Sequence, residues 1–145
     1  MNLYLDNCCY NRPFDDQTQL KIHLETQAKL HIQSQIKNDF YELTWSYVLD
    51  YENGRNPFPE KRKAIQPWKE IASVCVSEAN PKLLAYADHL KRKGIKTFDA
   101  LHIACAVEAK CDYYLTTDKK LLNANLSEIK ILSPIAFIEE EEKWK

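Results

Sequence analysis

The chain has 145 residues, of which 45% are hydrophobic and 28% charged, and its formal net charge is −1. This balance excludes a disordered chain, and the length predicts a single globular domain over residues 1–145. No apolar run reaches the roughly 20 residues that cross a bilayer, and the N-terminus MNLYLDNCC has an acid where a secretion signal has its hydrophobic core. We therefore expect a cytoplasmic protein with no membrane association.

In chain order, NLYL predicts a strand that ends at Asp6, and the turn at Pro13 leads into a long helix. FYELTWSYVL predicts a second strand that turns helical near Tyr47, with Glu52 near the start or first turns of that helix. The stretch NGRNPFPEKRKAIQPW is loop-like, interrupted by a short helix from about Glu60. The long helix carries apolar residues at four-residue steps, which predicts a core-facing stripe: Leu20, Leu24, Ala28, Ile32 and Ile36.

The second half of the chain continues the alternation of strands and helices. SVCVS predicts a brief edge strand, and Pro81 opens an amphipathic helix that Gly94 closes in the left-handed conformation. Thr97 is the predicted N-cap of a buried helix, FDALHIACAVEA, followed by the strand CDYYLTT and then Asp118. KKLLNAN predicts a short helix and IKIL a last strand, before an acidic tail at about residues 139–145.

This order predicts an α/β fold: a three-layer α/β/α sandwich around a central, mainly parallel twisted sheet, as in Rossmann-like proteins. The carboxyl ends of parallel strands open onto one crevice, where ligands bind. Four acids follow strands or head helices there, so we expect them to converge: Asp6, Glu52, Asp99 and Asp118.

Converged carboxylates repel one another unless protons or cations compensate them. Hard divalent cations prefer oxygen ligands, and Mg²⁺ or Mn²⁺, one or two per site, would suit hydrolysis of a phosphodiester. The five cysteines lack a C-x-x-C spacing and the four histidines are scattered, which argues against zinc. The chain has two glycines and no glycine-rich nucleotide loop.

Each acid also has a simpler interpretation. Asp6 can end a strand, Asp99 can complement a helix N-terminus, and Asp118 can cap the following helix. Asp50 competes with Glu52 as the middle acid, although a helix points the two in different directions. The sequence favours core packing over function for three aromatic side chains: His102, Tyr113 and Tyr114.

Basic residues form two clusters that are candidates for nucleic-acid binding, although each is also compatible with a simple solvated face. The first cluster contains Arg55, Lys61, Arg62 and Lys63. The second contains Lys91, Arg92, Lys93 and Lys96.

Three blocks carry a resemblance: YLDNCCYN, SYVLDYE and FDALHIACAVEAKCDYYLTTDKKLL. They resemble the PIN domain (PilT N-terminus-like), a family of small metal-dependent nucleases that includes VapC-type toxin ribonucleases. The most specific part is the pair D-A-x-H-x-A-x-A and T-T-D-K-x-L. The resemblance implies that the four acids are the metal ligands.

The resemblance also implies supporting roles for Thr116 and Ser46, which match a hydroxyl before the last acid and a serine before the middle acid. Asn7 departs from the pattern, because a threonine or serine is common after the first acid. Lys119 and Lys120 depart as well, because some members have a further acid there. These departures leave a weaker phosphate contact and a site of four acids.

The function implied is metal-dependent hydrolysis of single-stranded RNA to 5′-phosphate and 3′-hydroxyl ends, by the toxin of a type II toxin–antitoxin pair. A small antitoxin and a second copy of the chain are the implied partners. The alternatives are a catalytically silent module that binds nucleic acid or protein and the neutralised half of a toxin–antitoxin pair. A haloacid-dehalogenase-like phosphatase needs a second Asp where this chain has Cys8.

Overall fold

The structure is a computed structural model that describes residues 1–144. Its centre is a five-stranded, all-parallel sheet in the order β3-β2-β1-β4-β5. In the register, Leu3 of the first strand lies opposite Leu43 on one side and Tyr113 on the other. The strands are β1 (Asn2–Leu5), β2 (Glu42–Ser46), β3 (Val74–Val76), β4 (Tyr113–Leu115) and β5 (Lys130–Leu132).

Helices flank the sheet, so the predicted three-layer α/β/α architecture is confirmed. None of the helices within residues 1–144 is long and apolar enough to cross a membrane. A 3₁₀ turn, Arg12–Phe14, follows the first helix. The helices are α1 (Asn7–Asn11), α2 (Leu20–Lys37), α3 (Tyr47–Gly54), α4 (Pro59–Ile65), α5 (Pro67–Ile71), α6 (Pro81–Arg92), α7 (Thr97–Glu108), α8 (Lys119–Leu122) and α9 (Pro134–Lys143).

The core lies on both sides of β1, because this central strand is covered by helices on both faces. All four of its residues are buried, as expected for an internal parallel strand. The ring of Tyr4 stacks on that of Tyr114 in β4, with the centroids 5.3 Å apart. Helix α7 contributes six buried residues, which agrees with the predicted buried helix.

The strand order determines where a site can form. The chain moves outward from β1 through β2 to β3, and then crosses to the other side of β1 to add β4 and β5. The carboxyl ends of β1 and β4 therefore lie at the point where the winding changes direction. Asp6, immediately after β1, donates its backbone N–H to the Leu115 carbonyl of β4 at 3.1 Å.

The predicted apolar stripe of α2 is wrong in its first half. Ala28, Ile32 and Ile36 are buried, but Leu20 is 70% exposed and Leu24 48% exposed. Four residues of an α-helix turn about 400°, so each four-residue step drifts by about 40° around the axis. Over the stretch from Leu20 to Ile36 the drift carries the first residues away from the buried face.

Several helices begin at residues other than those that the sequence predicts. The residue before α7 is Lys96, so Thr97 is the first helical residue and not the N-cap. The loop-like stretch contains α4 and α5, each of which starts with a proline, instead of one helix. Helix α1 was not predicted.

The predicted acidic tail is helical over most of the residues that the structure describes. Its residues 139–143 belong to α9, and residue 145 lies outside the described part of the chain. Glu141 is only 3% exposed, because its carboxylate bonds with His31 Nε2 at 3.1 Å and accepts a hydrogen bond from the Tyr41 hydroxyl. Specific partners inside the fold therefore hold part of the acidic run in a helix.

Candidate active site

The structure places the four predicted acids on the wall of one cleft of about 400 Å³ at the carboxyl edge of the sheet. Each acid comes from a different segment: one follows β1, one lies in α3, one lies in the first turn of α7, and one follows β4. The acids are Asp6, Glu52, Asp99 and Asp118.

Asp6 is the deepest of the four, at 4% exposed. Its Oδ1 caps α1 by accepting the Cys9 backbone N–H at 3.2 Å, and it also accepts a hydrogen bond from the Cys8 thiol at 2.6 Å. Burial raises the pKa of this carboxyl well above its ordinary value, and the neighbouring Cys8 sulfur raises it further. Asp6 in this arrangement holds a proton more tightly than a free aspartate does.

Cys8 was not predicted as part of the site. Its sulfur lines the cleft and accepts the Thr117 hydroxyl at 3.0 Å. Within residues 1–144, the one group of three or more acidic, thiol or imidazole side chains with ligand atoms all within 4.8 Å of one another is Asp6, Cys8 and Cys9. The signal was available in the sequence, because Cys8 follows Asp6 by two residues at the start of a helix.

Glu52 reaches the cleft from α3 and pairs with His102 Nε2 of α7. His102 is buried, and its Nδ1 lies 2.6 Å from the Tyr4 hydroxyl, which lies 2.6 Å from the Ser46 hydroxyl. A carboxylate only accepts hydrogen bonds, so Nε2 donates to Glu52, and in the neutral imidazole the Tyr4 hydroxyl then donates to Nδ1. This chain of hydrogen bonds fixes the imidazole, and the imidazole fixes Glu52.

The rival middle acid, Asp50, points elsewhere. Its carboxylate accepts the Trp45 indole N–H at 2.9 Å and pairs with the Lys69 ammonium at 3.0 Å. It does not line the cleft. The geometry therefore favours Glu52, as the helical spacing indicates.

Asp99 and Asp118 form the opposite part of the wall. Partial burial raises the pKa of Asp99, the Asp118 carboxylate raises it further, and Glu52 adds a smaller effect in the same direction. Asp118 is exposed and caps α8 by accepting the Lys120 backbone N–H at 2.9 Å. The capping role expected for Asp118 is therefore present together with its position in the cleft.

The predicted supporting residues are placed differently from one another. Thr116 is fully buried beneath the site, where its hydroxyl accepts the Asp118 backbone N–H at 3.1 Å. Asn7 lines the cleft, and its side-chain oxygen accepts from Asn11 Nδ2 at 3.2 Å. Ser46 does not line the cleft; it caps α3 through the Leu49 backbone N–H and acts on Glu52 only through the hydrogen-bond chain.

One arginine in the cleft wall was not predicted. Arg12 pairs with Asp15 at 3.0 Å, donates to the Thr117 hydroxyl at 2.6 Å and lies 3.5 Å from Glu25. With two carboxylates of its own, Arg12 does not neutralise the four acids.

No residue of the first predicted basic cluster lines the acidic cleft, although α4, which carries three of them, packs against α1 and α3. Arg55 donates to the Tyr51 hydroxyl at 2.6 Å, and Arg62 donates to the Asn56 carbonyl. Lys61 lies 4.5 Å from the centroid of the Phe58 ring, and Lys63 is exposed.

The second predicted cluster divides into two parts. Lys93 and Lys96 line a neighbouring cleft of about 330 Å³, which shares Asp99 and Asp118 with the acidic one. Lys91 instead pairs with Asp88 at 3.1 Å, and Arg92 is exposed outside both clefts.

The donor set fits a hard divalent cation. Four carboxylates supply only oxygen ligands, and burial followed by the neighbouring Asp118 carboxylate raises the pKa of Asp99, while His102 opposes that shift. Among residues 1–144, however, no three of the four acids have carboxylate oxygens within 4.8 Å of one another, so their side chains would have to move closer together to coordinate one Mg²⁺ or Mn²⁺.

Comparisons with known proteins leave the family open and support the fold. No family model matches the chain, and no curated protein matches it. The solved structure of FitAB bound to the IR36 DNA fragment aligns with a TM-score of 0.57 and 17% sequence identity, covering 91% of this chain and 94% of that chain. This likeness supports the PIN-like fold that the sequence motifs predict.

Proposed function

We propose that the protein is a metal-dependent endoribonuclease that hydrolyses phosphodiester bonds of single-stranded RNA. One observation carries the proposal: four acids from four separate segments line a single cleft at the switch point of a PIN-like parallel sheet. Ligands bind at this position in open parallel sheets, and clustered carboxylates there suit a divalent cation.

In the proposed site, Asp6, Asp99 and Asp118 hold one Mg²⁺ or Mn²⁺, and Glu52 helps to position water or a second cation. A bound cation of this type polarises a phosphate oxygen and lowers the pKa of bound water. The acids act as ligands and not as nucleophiles, so the reaction passes through no covalent enzyme intermediate. The products carry 5′-phosphate and 3′-hydroxyl ends.

Glu52 has a role that its hydrogen bonds support. Its side chain is 26% exposed in the cleft, while His102 holds it from behind. A carboxylate held in one orientation is ready to orient an attacking water without first losing side-chain entropy. His102 is thus a positioning residue, and it acts on the reaction only through Glu52.

The biological setting is part of the same proposal. The motif resemblance implies a toxin of a type II toxin–antitoxin pair, with a small antitoxin protein as partner, a homodimeric state and a location in the cytoplasm. FitAB, which shares the fold, was solved on a DNA fragment. Induced expression that stops growth, and its rescue by the product of an adjacent small gene, would test the toxin role.

A second candidate function is a catalytically silent module that binds nucleic acid or protein. Internal contacts of the acids favour it, because Asp6 and Asp118 cap helices and Glu52 is paired with His102. In this case the protein binds its partner without any divalent cation.

Cleavage of a mixed-sequence single-stranded RNA distinguishes the two functions. The purified protein is incubated with Mn²⁺, with Mg²⁺ or with EDTA, and the product ends are identified by their sensitivity to a 5′-phosphate-dependent exonuclease. The nuclease proposal predicts cleavage that needs the cation and disappears in Asp99→Asn. Binding of RNA with no cleavage in either cation, by a folded protein free of inhibitor, supports the silent module.

A further inference from the structure

Three lysines converge on the cleft that adjoins the acidic site. Lys93, Lys96 and Lys120 line this second cleft, which shares Asp99 and Asp118 with the first. All three side chains are exposed, and among residues 1–144 none of their ammonium groups lies within 4 Å of a carboxylate. Lys93 interacts with the Glu128 carboxylate at longer range. Lysines with no ion pair within 4 Å, next to the proposed site for phosphodiester hydrolysis, can neutralise phosphates of a bound strand.

Apolar side chains and backbone also line this lysine cleft. Ile95, Leu121 and Leu126 contribute to the lining, together with Gly94. Gly94 has a φ of +95°, a conformation that side chains other than glycine rarely adopt, and no atom lies within 4 Å of the position a Cβ would take. The space at Gly94 is therefore open, and the apolar side chains suit the sugar of a nucleotide whose phosphate contacts the lysines.

A pair of exposed aromatic rings lies beside the acids on α3 and α7. Tyr51 immediately precedes Glu52 and is 48% exposed, and Phe98 immediately precedes Asp99 and is 41% exposed. Their rings stack on each other with centroids 5.5 Å apart and an interplanar angle of 21°. The Arg55 guanidinium lies 5.3 Å from the centroid of the Tyr51 ring.

Exposed stacked aromatics carry a cost in water, and they are a feature of surfaces that bind unpaired bases. The cation on the pair favours a nucleic acid as the occupant, since Arg55 adds attraction for phosphate and for the π face of a base. Tyr113 and Tyr114, in contrast, pack within the fold as the sequence indicates: Tyr114 is fully buried and Tyr113 packs edge-on against Phe137.

We propose that a single strand of RNA crosses the acidic cleft with backbone phosphate in the lysine cleft and an unpaired base on the Tyr51–Phe98 pair. This inference rests on the proposed function for the choice of RNA as ligand. An A-form duplex buries its base faces in stacking and cannot supply a base to the aromatic pair. The arrangement therefore selects single-stranded over double-stranded substrate.

The lysines are tested by binding of a fluorescent 12-nucleotide single-stranded RNA to an Asp99→Asn background, in which the RNA remains intact. For single strands each neutralised phosphate contributes a slope of about 0.7 in log affinity against log salt. One lost contact thus weakens binding about 5-fold at 0.1 M salt, and three weaken it about 100-fold. The variant that replaces Lys93, Lys96 and Lys120 with Ala should lose affinity within this range.

The control variant replaces three lysines outside both clefts with Ala: Lys21, Lys82 and Lys143. It carries the same net charge as the test variant. A salt slope that falls by about 0.7 to 2 in the test variant, and by less in the control, supports the lysine cleft. Equal losses of RNA affinity in the two variants would show that the three lysines act only through the net charge of the protein, which overturns the proposal.

The aromatic pair is tested by Tyr51→Ala and Phe98→Ala in the same background, with Phe14→Ala as a control on another exposed ring. Loss of a stacked base typically weakens single-strand binding about 5-fold to 100-fold. We expect that loss for the 12-mer and little change for a hairpin stem of the same length. An unchanged affinity for the 12-mer, with circular dichroism showing a folded protein, overturns the proposal.

The result does not depend on cleavage. Binding through these residues by a protein that never cuts RNA would retain this inference and reject the proposed nuclease. Metal-dependent cutting, with RNA binding unaltered in both the lysine and the aromatic variants, would retain the proposed nuclease and reject this inference.

Discussion

Replacing Asp99 with Asn tests whether Asp99 is a cation ligand or only stabilises the N-terminus of α7. Asp99 lies in the first turn of α7, where an acid stabilises a helix by about 0.3 to 1 kcal/mol. It also lies in the acidic cleft, where burial and Asp118 raise its pKa. The substitution therefore removes one favourable and one unfavourable contribution at the same time.

Without a divalent cation the two contributions oppose each other. A raised pKa means that the ionised Asp99 carboxylate lowers the stability of the folded protein at neutral pH, and solvent screens part of that cost because the side chain is only half-buried. The helix contribution of about 0.3 to 1 kcal/mol has the opposite sign, so Asp99→Asn should change the free energy of unfolding by less than about 1 kcal/mol.

With a divalent cation the two proteins should diverge. A ligand at 100 times its dissociation constant stabilises a folded protein by about 2.7 kcal/mol. For a domain of this size that shifts the melting temperature by about 10 °C. The Asn variant loses a charged ligand and should show a small fraction of this shift at the same Mn²⁺ concentration.

The stability of the metal-free protein should also depend on pH through Asp99. A raised pKa in the folded state means that the folded protein binds the proton more tightly than the unfolded chain does. Stability of the parent protein should therefore fall, relative to Asp99→Asn, as the pH rises from below the ordinary aspartate range through the raised pKa of Asp99.

Thermal unfolding followed by circular dichroism, in EDTA and in a Mn²⁺ series, measures the stability change in the metal-free protein, its pH dependence and the Mn²⁺-induced shift in melting temperature. Asp50→Asn is the matched control, because Asp50 has the same charge and lies outside the cleft. A Mn²⁺-induced shift in Asp99→Asn as large as in the parent would refute the reasoning and leave Asp99 as a helix-supporting residue.

Three further predictions concern neighbouring residues. Asp50→Asn should retain full RNA cleavage and lose at most about 1 kcal/mol of stability, because it removes one exposed ion pair with Lys69; a cleavage rate below a tenth of the parent's would make Asp50 part of the site. Tyr4→Phe should slow cleavage by about 10-fold to 100-fold at unchanged substrate affinity, because His102 loses the hydroxyl that fixes its orientation. Unchanged single-turnover rates at saturating RNA would contradict the role of Tyr4. Alkylation of Cys8 with N-ethylmaleimide, followed by mass spectrometry, should abolish cleavage and be slowed by Mn²⁺, because the thiol lies 2.6 Å from Asp6; modification that leaves cleavage intact would place Cys8 outside the functional part of the cleft.

Local patterns predicted the frame of the fold well. Buried strands such as NLYL and the alternation of strands with helices determine a parallel sheet, and Gly94 ends α6 with the expected positive φ. These features depend on residues close together in the chain. Three of the acids follow from the same frame, since Asp6, Asp99 and Asp118 lie at the starts of helices. Glu52 is the exception, because it lies in the second turn of α3 and does not head that helix as the sequence predicts.

Features that depend on contacts between distant segments could not be predicted in the same way. The Glu52–His102 pair joins residues 50 positions apart, and its supporting hydrogen bond with Tyr4 spans 98 positions. Likewise Arg12 enters the cleft because it contacts Thr117, 105 positions away. No periodicity in one segment reports such contacts.

Simple spacing and composition rules fail in two places. A four-residue spacing predicts a buried face over all of α2, but it drifts from that face within a few turns. A proline-rich stretch predicts a loop, but proline is also favoured at the first position of a helix, as in α4 and α5.

The most direct test of the central claim is the rate of cleavage of a mixed single-stranded RNA in Mn²⁺ by the parent protein, Asp99→Asn and Asp50→Asn. A cation held by the acids of the cleft predicts cutting by the parent and by Asp50→Asn, abolished by EDTA, and none by Asp99→Asn. Equal cutting by all three proteins, or cutting that persists in EDTA, would contradict the four-acid site.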